Sequence, residues 1–315
     1  MTMEKFDPRK AFEKAMVELG RENDKIVAVS CDSASGGGLG SFFKEFPERS
    51  VEVGISEQTG VDIAAGMARM GLIPVIVVIT PFLAMRAFEQ VRNDVGYMHT
   101  NVKLVGSGGG LAYSTLGSSH AIAEDMAVMR TIPNLTILCP GDADEVAFAL
   151  RQAVAIDGPV YIRMPRQARP LAAPTEERKL SLGKAEILKD GADAAIFTYG
   201  PSVEESQKAA ALLKARGVDA AVVNCTTLLP LDEEAVLAYA KRARLLVTVE
   251  EHCVFGGLGT AVSEILAREG GCPPIRTYGI PVGAKATGPY EELLDYYGIS
   301  GEKIAERIAA DLKAL

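Results

Sequence analysis

Glu57, in the segment VGISEQTG, is the first residue whose type and position could do chemistry. Ser56 can cap the helix that follows, which puts Glu57 in its first turn. A carboxylate there complements the helix dipole, and that alone is a sufficient reason for the residue. The second candidate is the run VGSGGGLAYSTLGSSH, which follows a strand-like segment and ends in His120. Its glycines Gly108 to Gly110 permit close backbone approach to a ligand. The run is neither GxGxxG nor a P-loop, because no Lys-Ser/Thr pair stands at the required place. His120 is one of three histidines, with His99 and His252. A histidine proton can move near neutral pH, although a lone histidine at a helix start also serves as a packed or capping residue. His252 follows another strand-like run, with Gly256, Gly257 and Gly259 opening a helix, and we read that group as structural. Arg163 and Arg166 close PVYIRMPR. Arg9 lies in a first helical turn, where a cation is slightly unfavourable, so it is available for an anionic group or an ion pair.

These residues need elements to position them. Asp7 and Pro8 read as the N-cap and first position of a helix, with Phe12, Ala15, Met16 and Leu19 at helical spacing and Gly20 closing it. KIVAVSCD then reads as a buried strand. The alternation continues through SVEV and SEQTGVDIAAGMARMG, IPVIVVIT and PFLAMRAFEQVRNDVGYM, and NVKLVG and SSHAIAEDMAVMRTI. LTILCP, DADEVAFALRQAVAI and PVYIRMPR complete it. Apolar strands alternating with amphipathic helices predict an α/β fold whose parallel sheet is covered on both faces. Gln167 to Lys184 is rich in proline and charge and reads as a linker. A second α/β alternation follows. The expected division is 1–166, linker 167–184, and 185–315. Open parallel sheets bind ligands outside the carboxyl ends of their strands. That places Asp32, Glu57, Thr80 to Phe82, the Gly106–His120 loop and Arg166 at one edge.

Composition narrows the class. The 315 residues are 48% hydrophobic and 23% charged, which suits a folded soluble protein of two domains. A net charge of −8 gives no pull toward nucleic acid or anionic lipid. The five cysteines are scattered without a CxxC pair, so neither a disulfide framework nor a zinc site is expected. The most apolar run, Leu72 to Met85, is shorter than the roughly 20 residues a membrane helix needs, and Pro74 and Pro81 interrupt it. No secretory signal is visible. A cytoplasmic location is expected.

The order of motifs resembles the transketolase family over nearly the whole chain. SCDS at 30–33, GISEQTGVDIAAGMA at 54–68, FLAMRAFEQVRND at 82–94 and GSSHAIAEDMAVMRTIPNL at 117–135 are similar to its pyrimidine-binding domain. CPGDADE at 139–145 and GPVYIRMPRQ at 158–167 continue that likeness. LLPLD at 228–232 and VTVEEH with GGLG at 247–259 resemble its C-terminal domain. The resemblance implies thiamine diphosphate, with Glu57 as the acid that meets N1′ of the aminopyrimidine. It implies Asp32 near the thiazolium, and Ile79, Phe82 and Met85 where the family packs the pyrimidine with aromatic rings. Only Phe82 keeps a ring. His120 corresponds to the histidine that meets the donor sugar's first hydroxyl, and Arg9 and Arg166 to arginines that hold its terminal phosphate.

Two departures stand out. The family has a histidine where Gly108 aligns and an aspartate, which reads a donor hydroxyl, where Leu116 aligns. Losing a hydrogen-bonding group changes which sugar a site prefers, so a ketose other than the standard donors is expected. The GDG…N pattern that binds magnesium and the diphosphate in the family's N-terminal domain is not found; GDADE at 141–145 lacks its second glycine. The expectation is therefore a C-terminal subunit of a split transketolase. It would share the cofactor with a separate N-terminal subunit that binds Mg2+, in an α2β2 assembly, and would be inactive alone. The alternatives are the β subunit of a 2-oxo acid dehydrogenase, and a non-catalytic binding or regulatory module.

Overall fold

The computed structural model describes residues 4–315. The first five strands of the chain are β1 (Ile26–Ser30), β2 (Ser50–Glu52), β3 (Ile73–Ile79), β4 (Lys103–Ser107) and β5 (Thr136–Leu138). The others are β6 (Val160–Met164), β7 (Glu186–Lys189), β8 (Ala194–Thr198), β9 (Ala220–Asn224), β10 (Thr227–Leu229), β11 (Leu245–Cys253) and β12 (Ile275–Ile280). They form a seven-stranded sheet of order β10-β5-β6-β4-β3-β1-β2 and a five-stranded sheet of order β12-β11-β8-β9-β7. Both are parallel except at one edge each, where β10 and β7 run antiparallel.

The apolar runs are explained by burial on both faces. In β3, Val75 and Val77 join the cluster formed by Phe12, Met16, Val146 and Leu150, whereas Ile76 and Val78 join Val61, Ala64, Leu83 and Val91. The period of two thus sends alternate residues into two cores. Helices Pro8–Glu22 and Ala143–Ala155 cover the first face, and helix Glu57–Arg69 lies on the other. Asp7 caps the first helix as expected, accepting the Arg9 backbone N–H at 2.9 Å. That helix runs past Gly20 to Glu22, because Asn23 still donates to the Leu19 carbonyl at 2.9 Å.

Three stretches differ from the periodic reading. Phe82–Tyr97 is mostly π-helical, with Ala87 N–H bonded to Phe82 O and Met98 N–H to Asn93 O, each five residues back. Such wide turns insert a residue relative to an α-helix and re-aim the face that follows. The helix expected over SSHAIAEDMAVMRTI is confined to Asp125–Met129. Before it runs a 3-10 segment, Ser114–Ser119, broken at Gly117 with φ of 71°. The third is β10, which follows β9 directly but pairs with β5, so the second half of the chain supplies an edge of the first sheet.

The two halves share a core, in which Phe197, Val223 and Tyr239 belong to the same cluster as Ile137 and Cys139. The segment 167–184 is held by buried charge. The Arg178 guanidinium, 2% exposed, meets Asp142 at 2.6 Å, Glu145 at 2.5 Å and Glu186 at 2.6 Å. Among the described residues no helix is long and apolar enough to cross a membrane.

Candidate active site

Five adjacent strands deliver the candidate residues at their carboxyl ends. Asp32 follows β1, Glu57 follows β2, Phe82 follows β3, the loop to His120 follows β4, and Arg166 follows β6. All of them follow the carboxyl ends of strands in one sheet, as expected of ligand-facing residues in an open parallel sheet.

Glu57 opens its helix and is 3% exposed. Ser56 precedes it but makes no capping bond, because its hydroxyl donates instead to Thr59 Oγ1 at 2.8 Å. Both Glu57 oxygens accept from Arg86 Nη1 at 2.8 Å. The Arg86 guanidinium lies 4.1 Å from the centre of the Phe82 ring, a cation–π arrangement. Phe82 meets the His120 ring edge-on at 5.2 Å, and His120 lies 6.1 Å from the Tyr113 ring. Tyr113 accepts a hydrogen bond from Arg166 Nη1 at 2.7 Å. A continuous row of side chains therefore joins Glu57 to Arg166. His120 Nδ1 pairs with Ser119 Oγ at 2.8 Å, and Nε2 has no protein partner among the described residues.

The other candidates sit around this row. Ile79 is half-buried at the end of β3 and lines a small cavity with Tyr113 and Arg166. Met85 is exposed, one residue from Arg86. Asp32 is exposed, in the left-handed region with φ of 60°, where aspartate is tolerated better than most residues. Its N–H donates to Glu52 Oε1 at 2.6 Å. Burial pushes the Glu52 carboxyl up, but hydrogen bonds from Asp32, Ser30, Gly54 and Val53 outweigh it and leave its pKa lowered. Arg9 is paired with the helix cap, donating to Asp7 through Nε at 3.2 Å and Nη2 at 2.9 Å. The Asp7 hydrogen bond, against desolvation, raises the Arg9 pKa, with a minor contribution from nearby Tyr113. Leu116 is exposed and faces a cleft of about 540 Å³ between its own loop and Ile280–Thr287 of the second half.

The close approach that the three glycines permit is made by the protein itself. A Cβ on Gly109 would lie 2.4 Å from Arg163 Nε, and one on Gly110 2.3 Å from Glu251 Oε2. Arg163 is locked by Asp125 at 2.8 and 3.0 Å and donates to the Glu251 carbonyl at 3.1 Å. Glu251 Oε2 accepts the Leu111 N–H at 2.8 Å, and its other oxygen accepts from Tyr290. The second half of the chain thus pins the loop that carries His120. His252 is structural as read: Nε2 accepts the Ala127 N–H at 3.3 Å and Nδ1 lies 2.8 Å from the Cys253 carbonyl. Arg86, Tyr113, Ser119 and Glu52 were not singled out from the sequence, since no spacing links Arg86 to an acid 29 residues earlier.

The arrangement fits the aminopyrimidine end of thiamine diphosphate. A ring nitrogen needs a buried acid, and Glu57 is one, its side-chain partner among the described residues being an arginine whose own side chain is 42% exposed. The approach is flanked by exposed apolar side chains, Ile55 at 75% and Met85 at 41%. No group of three or more His, Cys, Asp or Glu among the described residues is placed to hold a metal ion.

Comparison with known proteins gives the family. The family model for the transketolase pyrimidine-binding domain matches residues 4–170, and that for the transketolase C-terminal domain matches residues 183–304. A putative transketolase C-terminal section from Methanocaldococcus jannaschii is 37% identical over 97% of this chain and 96% of its own length. One subunit of an apulose-4-phosphate transketolase from Phocaeicola vulgatus is 37% identical over 95% of each chain. A solved structure, described as a split gene transketolase in an inactive β4 tetramer, superimposes with a TM-score of 0.88. It shares 35% identity over 98% of this chain and 99% of its own. The chain therefore belongs to the transketolase family, carries its pyrimidine-binding and C-terminal domains, and matches members encoded as separate sections from end to end.

Proposed function

We propose that this chain is the C-terminal subunit of a thiamine-diphosphate-dependent enzyme. It moves a two-carbon ketol unit from an anionic ketose to an aldose. The observation that carries this reading is the buried Glu57 carboxylate, held by a half-exposed arginine beside an open apolar approach. Glu57 holds or gives up a proton at N1′ of the aminopyrimidine. Ile79, Phe82 and Met85 wall the ring and exclude water, and Asp32 lies toward the thiazolium. Thiamine diphosphate, when bound, supplies the electron sink that carries the two-carbon unit. His120, oriented by Ser119, meets a hydroxyl of the donor through its free ring nitrogen. Arg166 holds the far anionic end, and Arg9 joins it by leaving Asp7. Guanidinium forks suit tetrahedral anions.

A separate N-terminal subunit, on this reading, holds the diphosphate and Mg2+, and two copies of each form an α2β2 enzyme in the cytosol. The apulose-4-phosphate enzyme of P. vulgatus, by its name a multi-subunit transketolase acting on a phosphorylated ketose, supports the partner and the anionic donor. Calorimetry tests this. Thiamine diphosphate with Mg2+ binds the pair of subunits and not this chain alone, and the pair consumes a ketose phosphate rather than a 2-oxo acid. Tight binding by this chain alone, or release of CO2 from a 2-oxo acid, overturns the proposal.

A further inference from the structure

We propose that Tyr113 determines which ketose this site accepts, by donating its phenolic proton to the tetrahedral anion at the sugar's far end. The inference rests on the function proposed above and deepens it. The ring of Tyr113 occupies the space over Gly108, where a Cβ would stand 2.4 Å from Tyr113 Cε2. A side chain at 108 and the tyrosine in this position exclude each other. Gly108 also has φ of 74°, which further favours glycine. The tyrosine is thus the group that this chain places where position 108 would otherwise project.

Its hydroxyl accepts from Arg166 at 2.7 Å, and its own proton has no acceptor among the described residues. The guanidinium carbon of Arg166 is 4.5 Å from its ring centre, so ring and cation fix each other. Both line a cavity of about 60 Å³ at the carboxyl ends of β1, β3 and β4, together with Ser33 and Ser107. Ser107 is 3% exposed, and its Oγ has no hydrogen-bond partner among the described residues. A buried hydroxyl without a partner is costly, so a ligand atom that satisfies it is favoured. A water needs on the order of 10–15 Å³, so the cavity has room for about four waters, or one tetrahedral group. Its lining offers a guanidinium, a phenol and two serine hydroxyls, and no carboxylate. Donors without an opposing acid select an anion. Leu116 faces the cleft on the other side of its loop, so the selective contact at the sugar's end falls to Tyr113.

The test uses the two-subunit complex with wild-type chain and with Tyr113→Phe, which keeps the ring and removes only the hydroxyl. For a ketose phosphate, KM rises about tenfold while kcat stays within about threefold, the size expected for one hydrogen bond to a charged group. For the matching unphosphorylated ketose, KM does not change. Binding of inorganic phosphate, read by calorimetry without turnover, weakens about tenfold. Unchanged phosphate binding and unchanged KM in Tyr113→Phe overturn the inference and leave the proposed reaction standing. A wild-type complex that moves no ketol unit, yet loses phosphate affinity on Tyr113→Phe, keeps the anion site and overturns the reaction.

Discussion

Both carboxylate oxygens of Glu57 lie 2.8 Å from one nitrogen of Arg86, so the buried acid of the site is neutralised by a cation that stands half in solvent. A buried carboxylate needs a partner. An exposed arginine supplies one that can be withdrawn without breaking the fold. On the proposed function, the pair stabilises the acid while the site is open, and Arg86 gives way when Glu57 meets the aminopyrimidine ring nitrogen.

Glu57→Gln keeps the shape of the side chain and removes the proton-holding group. In the complex, turnover falls by at least about 100-fold, within the range that a positioned acid–base group contributes. Urea unfolding of the chain changes by less than about 1 kcal/mol, since no buried charge is left unpaired.

Arg86→Met leaves the Glu57 carboxylate buried without its cation. Stability falls by about 1–3 kcal/mol, the cost of an unsatisfied buried acceptor. Thermal unfolding of the wild type and the Arg86→Met chain side by side measures it.

Arg178 is the larger structural risk, although it lies in a segment whose composition reads as a linker. Its guanidinium holds three carboxylates, two of them almost fully buried. Arg178→Met strands them and costs about 3–5 kcal/mol, visible as a large drop in the urea midpoint.

The same cluster gives stability a pH dependence. Burial, then the neighbouring Asp142 charge, pushes the Glu145 carboxyl up from 4.5 to about 7, against the opposing pull of Arg178. Its folded value lies above its unfolded one, so folding takes up a proton. The stabilisation is complete below pH 4.5 and is lost as pH rises through 7. Glu145→Gln has no such proton to take up. The stability advantage of wild type over Glu145→Gln therefore shrinks as pH rises from about 5 to about 8, as paired urea titrations would read.

Much of the fold was legible because its signals are local. Asp7, Pro8 and the spacing of Phe12 to Leu19 specify a capped helix without outside help. The apolar strands announce a sheet buried on both faces, and the rule that ligands meet the carboxyl ends of such strands singled out Glu57, Phe82, His120 and Arg166, which the observed strand order sets along one edge. What was not legible depends on distant parts of the chain. Arg86 reaches Glu57 through π-helical turns that no apolar period encodes. The glycines at 109 and 110 are required by Arg163 and Glu251, the latter 141 residues beyond Gly110. A charged, proline-rich segment looks solvated until Asp142, Glu145 and Glu186 close on Arg178. Tyr113 carries no motif; only its seat over Gly108 and its bond to Arg166 single it out.

The most direct test of the account is ketol transfer by the two-subunit complex, assayed with thiamine diphosphate, Mg2+, a ketose phosphate and an aldose. Wild-type chain, Glu57→Gln chain, and wild-type chain without its partner are compared at equal concentration. The account predicts transfer by the wild-type complex only, with the Glu57→Gln complex reduced by at least about 100-fold and the single chain silent. Equal transfer by the Glu57→Gln complex, or full transfer by the chain without a partner, would contradict it.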